Sequence, residues 1–539
     1  MEYKTRRDND IVYGEPLDLP DDDRGLGDFF YDACMKNSDK IFQIDGKTGR
    51  SETYSTIFQK SVRTAIEMRK MGLKEGDVIT ICSVNTMDSV VPVIAASFLN
   101  ITIANLDPSL SLRDSVYLLR TVQPKIIFAE ESAVEMVENI CGQLSCKPSV
   151  VVMGATTKHI PFSEFLIEKP GENEFKPVVV RDTNCPAVLF FSSGTTGMPK
   201  PIKCSHRSLL MGAYSAKKMQ MQPEVCIHVS SFYWISAYLF TMMAADCGGR
   251  KIIISKFDPE VLMSLIQKYK ITLVFLASNV AYQLTKENTA GYDTSSLQNI
   301  FFMGSILNEE QLNKCQTYFP NSLASIGYGQ TEASGFISVF CKARTTSLAK
   351  KHRGSTGLPM PGLEMKIVDP ETETTLPPNV SGEIRIRSSS DAFFVGYYHA
   401  DASDAFDSDG FLKTGDVGYL NEDNCLFITT RIKEMFKYQS WHIVPASIEK
   451  VIYEHPAVKE AAVVGIPHPV DGDHPMAIII LKEGYSNVNE DDIIDFVNAR
   501  VLDREKLRAG AKIVADFRRT ITGKIVRKDL RQAAIDGKL

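Results

Sequence analysis

Several things are scarce in this chain of 539 residues. Tryptophan occurs twice and histidine nine times. The eleven cysteines include no CxxC pair and keep no regular spacing, which argues against a zinc ribbon or a disulfide framework and favours a reducing compartment. Positive charge is not in excess. A net charge of -6 and a pI near 5.9 supply no basic surface of the kind that binds DNA or RNA, so no nucleic-acid partner is expected. Long apolar runs are missing as well: the longest, residues 89–106, is interrupted by Pro92, Asn100 and Asn105 and reads as a buried helix and a strand, not as a transmembrane segment. The opening MEYKTRRDNDIVYGEP has basic residues with no apolar core behind them, unlike a secretory signal. No internal repeat or low-complexity stretch stands out. What remains is 44% apolar and 23% charged, the balance of a globular chain, and the length divides into three or four packing units at roughly 150 residues each.

Short β-branched runs alternate with amphipathic stretches along the first third. GDVITICSVN, ITIANLDP and KIIFAEE are strand-like; MDSVVPVIAASFLN, LRDSVYLLRTVQP and AVEMVENICGQL are helix-like. This alternation predicts βαβ units and mostly parallel sheets. It resumes with PEVLMSLIQKYK, ITLVFLASN, NIFFMGSIL, NEEQLNKCQTYF and LASIGYGQTE, where Asn308 is a candidate helix N-cap. Between Thr356 and Thr430 alternating strands with Gly and Pro turns replace the helices, and beyond Arg431 a compact α+β pattern closes the chain. The expected class is α/β: a large N-terminal domain, 1–430, with subdomains 1–185, 186–355 and a β-rich 356–430; a hinge at 431–435; and a small mobile C-terminal domain, 436–539.

The stretch FFSSGTTGMPKPIKCSH follows a strand-like run. Gly194 and Gly197 let backbone N–H groups approach an anion closely, Ser192, Ser193, Thr195 and Thr196 add donors, and Lys200 adds a charge. The spacing does not satisfy GxxxxGK[ST], so this is not a Walker loop. Loops of this composition are often only loops, and the phosphate reading needs distant support.

That support comes from five motifs in order: SSGTTGMPK, YGQTEA, TGDVGYL, RIKEMFKYQSWHIVPASIE and TGKIVRKDL. Together they resemble the adenylate-forming superfamily of acyl-CoA synthetases, 4-coumarate-CoA ligases and beetle luciferases, over nearly the whole chain. An insect-type fatty acyl-CoA synthetase is the member expected. The resemblance implies an acid-thiol ligase that uses ATP, Mg²⁺ and coenzyme A and acts on a small carboxylic acid.

It further implies roles. Ser193, Gly194, Thr195, Thr196, Gly197 and Lys200 would cradle the β- and γ-phosphates. Gly327, Tyr328 and Gly329 would face the adenine, Gln330 would join the ATP site, and Thr331 and Glu332 would touch the α-phosphate and hold the Mg²⁺. Asp416 would accept the ribose hydroxyls beside Arg431. Lys524 would contact the reacting carboxylate and α-phosphate, Lys437 would serve the second half-reaction, Lys433 would be the hinge residue, and Ser440 and Trp441 would lie along the CoA channel. Trp234, Ser236, Ala237, Gly304, Ser305 and Gly335 map to the acyl pocket. Apart from Trp234 these are small, which favours a medium- or long-chain fatty acid; an aromatic acid that stacks on Trp234 is the second reading.

Departures from the pattern bear on function. Pro201 stands where a glycine is common, Tyr233 and Trp234 occupy a region where many relatives carry a histidine, and Ser440, with His442 close by, replaces the usual glycine. These keep open a third reading, a nucleotide-binding protein without catalysis. Gly212 stands where luciferases keep an arginine, so strong light emission is not expected. The ending Gly537-Lys538-Leu539 resembles a peroxisomal address without its serine, leaving peroxisome and cytoplasm as alternatives. Oligomeric state is not legible.

Overall fold

The computed structural model describes residues 2–19, 24–191, 200–305, 307, 309–389, 393–439, 441–485, 487–519 and 525–539, with the backbone alone at His442. The chain divides into two compact units. The first comprises Met1–Asp8, Val12–Met365 and Ile386–Leu412; the second comprises Asn9–Ile11, Lys366–Arg385 and Lys413–Leu539.

Besides a three-stranded sheet of Tyr328–Gln330, Gly335–Val339 and Leu358–Pro359, the first unit is dominated by two seven-stranded sheets. One runs, in spatial order, through Pro201–Ser205, Pro186–Phe191, Thr102–Ile103, Val78–Cys82, Ile126–Glu130, Ser149–Met153 and Ile160–Pro161. Its strands pair in parallel except for Pro186–Phe191 with Pro201–Ser205. The other runs through Leu323–Ile326, Asn299–Met303, Leu273–Ala277, Val225–His228, Arg250–Ile253, Ile41–Asp45 and Ser51–Thr53, parallel until the last pair. VITIC, IIFAE and LVFLA read as continuous apolar runs because strands covered on both faces have no solvent side to mark with polar residues. Local chemistry starts the helices: Ser111 accepts from Asp114 N, and Asp258 accepts from Val261 N ahead of Pro259.

Helix Ile235–Cys247 carries no sequence signal of its kind. It is apolar all round, and Ala237 through Ala245 are buried, so it shows no amphipathic period. It lies between the sheets. Tyr238 meets Phe190 of one edge-on at 5.3 Å between ring centroids, and Phe240 meets Phe275 of the other at 4.8 Å. Strand Pro201–Ser205 and helix His206–Lys218 are likewise additions to the expected elements, and strand Thr102–Ile103 is shorter than the run ITIANLDP suggests. Asn308 lies outside the described residues.

The second unit is built on the long hairpin Val458–His468 and Gly472–Leu481, flanked by Phe436–Tyr438, Trp441–Ile443 and Ala511–Ile513. Alternation along the hairpin buries both faces: Ala461, Val463, Ala477 and Ile479 pack with helix residues Ile448, Ile452, Ile493 and Val497, whereas Ala462, Val464, Ile478 and Ile480 pack with Phe517 and Leu530. Antiparallel strands Leu412–Leu420 and Leu426–Arg431 precede it. Residues 356–430 hold no α-helix among those described. The mixed α/β class, with a large N-terminal and a smaller C-terminal part, is therefore as expected.

Candidate active site

In parallel sheets ligands collect beyond the carboxyl ends of the strands. In the first unit the candidates gather there: Trp234 and Ser236 follow strand Val225–His228, Gly304 and Ser305 follow Asn299–Met303, and Gly327 follows Leu323–Ile326. Ser278, after Leu273–Ala277, donates to the carbonyls of Met303 and Ser305 at 3.2 and 2.7 Å and so ties two of these ends together.

Thr331 and Glu332 sit in a single 3-10 turn, Thr331–Ala333, between the antiparallel strands Tyr328–Gln330 and Gly335–Val339. The chain can reverse here because Ser334 takes a left-handed conformation, φ 55°, and its hydroxyl donates to Ser208 Oγ at 2.9 Å. Ser208 is itself held by the cap residue Ser205. Gly329 permits the strands to close: a Cβ there would stand 2.5 Å from the Gly335 carbonyl oxygen. Gly212 has a similar reason, since a Cβ would stand 2.8 Å from the Ser334 oxygen. A side chain at 212 would push against the backbone next to the turn.

Strand Pro201–Ser205 leads away from the glycine-rich segment and passes the same turn. Cys204 Sγ donates to the Thr331 carbonyl at 3.4 Å, and burial pushes the thiol up to about 12. Residues Gly396–Tyr398 run against this strand: Lys203 N donates to Gly396 O at 3.0 Å and Tyr398 N to Pro201 O at 2.9 Å. This places Tyr397 under the Lys200 ammonium, 5.3 Å from the ring centroid. Burial first and the Glu332 carboxylate second raise the Tyr397 phenol, so it stays neutral. Lys200, Tyr397 and Glu332 thus share one neighbourhood. No sequence signal marks Tyr397, because only tertiary pairing brings it beside the loop. Ser193, Gly194, Thr195, Thr196 and Gly197 lie outside the described residues.

The acyl candidates differ in their surroundings. Trp234 is the N-cap of helix Ile235–Cys247, edge-on to Tyr233 at 4.7 Å, and packs on the apolar cluster of the first sheet. Ser236 donates to Ser230 Oγ at 3.0 Å, and Ala237 is fully buried. Gly335 is buried beside Gly212, so close that a Cβ on Gly335 would stand 3.6 Å from the Gly212 Cα. Gly304 and Ser305 are exposed, and Gly304 has φ 95° with open space where a Cβ would point.

In the second unit Asp416 and Arg431 are register partners across the hairpin, with Asp416 Oδ1 2.8 Å from Arg431 Nε. Asp416 is buried and Arg431 half-exposed. Within strand Leu412–Leu420, Gly415 before Asp416 takes φ 68°, and its N–H donates to Glu383 Oε1 at 3.2 Å. Lys433 is exposed in the turn Ile432–Glu434. Lys437 is exposed on strand Phe436–Tyr438, with its ammonium 3.2 Å from Glu371, itself exposed. Trp441 is exposed under the Arg504 guanidinium, 4.7 Å from the ring centroid. Ser440 and Lys524 lie outside the described residues.

Close after Lys524 stands Arg527, a residue of the last motif to which the sequence assigns no role. Its guanidinium pairs with both Glu449 oxygens, lies 3.4 Å from Glu434 and donates to Val463 O at 3.1 Å. Burial disfavours its charge, yet the Glu449 carboxylate outweighs that and raises it. Arg527 therefore ties the segment after Lys524 to helix Pro445–Tyr453 and to the turn carrying Lys433.

Cation, hydroxyl and carboxylate gathered beyond strand ends suit an anionic ligand, and the family comparison names the class. The AMP-binding enzyme family matches residues 30–398 and the AMP-binding enzyme C-terminal domain matches residues 447–524, so the chain belongs to the AMP-binding, adenylate-forming enzymes. It is 28% identical over 548 residues to luciferin 4-monooxygenase of Luciola mingrelica, covering 98% of each chain. It is 29% identical over 526 residues to 4-coumarate–CoA ligase 1 of Petroselinum crispum, covering 95% of each. Among solved structures, the luciferase-like enzyme from the nonluminescent Zophobas morio mealworm superposes with a TM-score of 0.75 at 36% identity, covering 79% of this chain and all of that one. ATP-bound MatB from Rhodopseudomonas palustris, 20% identical, shares the fold at a TM-score of 0.82 over 95% of this chain and all of its own. Among the described residues no helix is long and apolar enough to cross a membrane.

Proposed function

We propose that this protein joins a fatty acid to coenzyme A in two steps. A carboxylate oxygen attacks the α-phosphorus of ATP, the bond to pyrophosphate breaks, and an acyl-adenylate forms. The coenzyme A thiol, losing its proton, then attacks the acyl carbon, the bond to the adenylate oxygen breaks, and AMP leaves. The observation that carries this reading is the meeting of Lys200, Tyr397 and Glu332 beside the Thr331 turn. Two anions must approach in the first step, so cations and donors fixed before reaction are what the chemistry requires.

Thr331 contacts the α-phosphate, and the segment 193–197 with Lys200 holds the outer phosphates. Tyr397, a neutral phenol, orients the lysine without cancelling its charge. Glu332 suits Mg²⁺, which needs only one or two protein carboxylates; the ion supplies neutralisation of phosphate charge. Gly327, Tyr328, Gly329 and Gln330 receive the adenine. Buried Asp416 accepts from the ribose hydroxyls while Arg431 fixes its orientation. Lys524 serves adenylation and Lys437 thioester formation, with Ser440 and Trp441 along the thiol's approach and Lys433 as the pivot.

The open space at Gly304 and the exposed Ser305 support an alkyl chain, each buried methylene contributing about 0.8 kcal/mol. Carboxylate-dependent exchange between ATP and labelled pyrophosphate, run over straight-chain and cinnamate-type acids with and without coenzyme A, tests the reading. Straight-chain acids should support exchange best, and Ser305→Leu should shorten the preferred chain. Gly304 is the poorer position for such a test because its φ strains any side chain. Better exchange with coumarate would favour the aromatic reading, and no exchange with any acid would leave a nucleotide-binding protein without this catalysis.

A further inference from the structure

The second unit's long hairpin turns through His468-Pro469-Val470-Asp471-Gly472-Asp473-His474, a stretch with no part in the proposed reaction. Register sets its geometry. His468 pairs with Gly472 and Ile466 with His474. Residues two apart on a strand share a face, so His468 and His474 are diagonal neighbours on one face of the hairpin. Their rings stack, 4.0 Å between centroids and 12° from parallel. Asp471, in the turn, directs one oxygen at both: Oδ2 stands 2.9 Å from His474 Nε2 and 3.4 Å from His468 Nδ1. Its other oxygen accepts from Gln439 Nε2 at 2.7 Å, and the Gln439 N–H donates to the Asp471 carbonyl at 2.8 Å.

We propose that His468, Asp471 and His474 bind one divalent transition-metal ion, with zinc the best fitted and solvent completing its coordination. Donors around a tetrahedral ion with bonds of about 2.0–2.2 Å lie roughly 3.3–3.6 Å apart. One ligand atom from each of the three residues already lies within 4.8 Å of the others. To bind, the stacked rings must turn so that their nitrogens converge, and if His468 ligates through Nδ1 that atom gives up the N–H groups of Val470 and Asp471, which it accepts at 3.4 and 3.3 Å. Two imidazole nitrogens and one carboxylate suit zinc, cobalt, nickel or copper, whereas Mg²⁺ and Ca²⁺ prefer oxygen alone. Side-chain exposures of 39%, 21% and 16% for His468, Asp471 and His474 leave the ligands reachable from solvent. Gln439 holds the carboxylate from outside, the arrangement by which an outer partner orients a ligand. Gln439 directly follows the strand carrying Lys437, so the ion's carboxylate ligand would be linked through it to that strand. None of this depends on the acid or on ATP.

The test uses the full-length protein with any polyhistidine tag removed. Calorimetric titration with Zn²⁺ should give one equivalent that excess Mg²⁺ does not displace. Co²⁺ should give visible bands of nitrogen and oxygen coordination without the thiolate charge-transfer band that cysteine ligation produces. His468→Ala and His474→Ala should each weaken binding at least about tenfold, and Gln439→Asn, too short to reach the carboxylate, should weaken it up to about tenfold. Unfolding in EDTA should leave the variants as stable as the parent to within a few degrees, which separates lost ligation from lost folding. No saturable zinc binding, a thiolate band, or unchanged affinity in both histidine variants would overturn the assignment.

Discussion

The two units hold their candidate groups by different physics. In the first, the Thr331–Ala333 turn is set by strand pairing, a buried Ser334–Ser208 hydrogen bond and glycines that allow backbone to meet backbone. Water cannot replace such contacts piecemeal, and the groups they position are ready before substrate arrives. In the second, Lys437 meets an exposed Glu371, and exposed Trp441 lies under Arg504. Exposed pairs contribute about 0–1 kcal/mol, so these side chains change partners at little cost. Asp416, buried against Arg431, is the exception and belongs with the fixed groups. A fixed turn and an exposed Lys437 suit the two successive reactions proposed for one substrate.

The largest effect expected is at the fixed region. Glu332→Ala should lower carboxylate-dependent pyrophosphate exchange roughly 10²- to 10³-fold, the scale of losing one charge-stabilising group, with circular dichroism unchanged. Retention of exchange would detach the turn from the chemistry. Next comes Arg527→Ala, which leaves Glu449 without its cation and with the Val463 N–H still donating to it, and should destabilise the second unit by about 3 kcal/mol. The two tryptophans allow the units to be followed apart, since Trp234 lies in the first and Trp441 in the second. With Trp234→Phe as background, urea unfolding read from Trp441 should shift to lower denaturant; an unshifted transition would show that Arg527 anchors nothing.

Acid should separate the units further. His206 is buried, accepts from Leu26 N and bonds Asn100, and burial lowers its pKa to about 4. Its folded value lies below the ordinary 6.5, so its contribution is present above pH 6.5 and is lost as pH falls toward 4; by pH 5 that loss is about 2 kcal/mol. His228, lowered to about 3 by burial and then by the Lys251 charge, acts in the same direction. The second unit's partly buried His455 is also lowered by burial, so Trp441 should report a shallower fall than Trp234. Equal slopes would contradict this assignment. The smallest effect is on stability at Lys437: Lys437→Ala should change it by about 0.5 kcal/mol or less.

The motifs are legible in the sequence because five of them stand in one order that resembles the family; glycine, hydroxyl and lysine close together suit a phosphate without establishing one, and Asp416 is marked only by the resemblance of TGDVGYL. The roles of Tyr397 and Arg527 are not, because each acts through partners distant in sequence. Helix Ile235–Cys247 is hidden for another reason: enclosed by two sheets, it needs no polar face, and its missing period removes the one signal that would mark it. Ala237, mapped to the acyl pocket by resemblance, lies fully buried in that same helix, a burial that no local pattern of the sequence announces.

The direct test of the proposal that Lys524 and Lys437 act in different half-reactions is to measure those half-reactions separately in Lys524→Ala and Lys437→Ala. Lys524→Ala should slow acyl-adenylate formation by roughly 10²- to 10³-fold while ATP binding changes little. Lys437→Ala should leave pyrophosphate exchange nearly intact and slow thioester formation from preformed acyl-adenylate. Equal damage to both half-reactions by both substitutions would contradict the account.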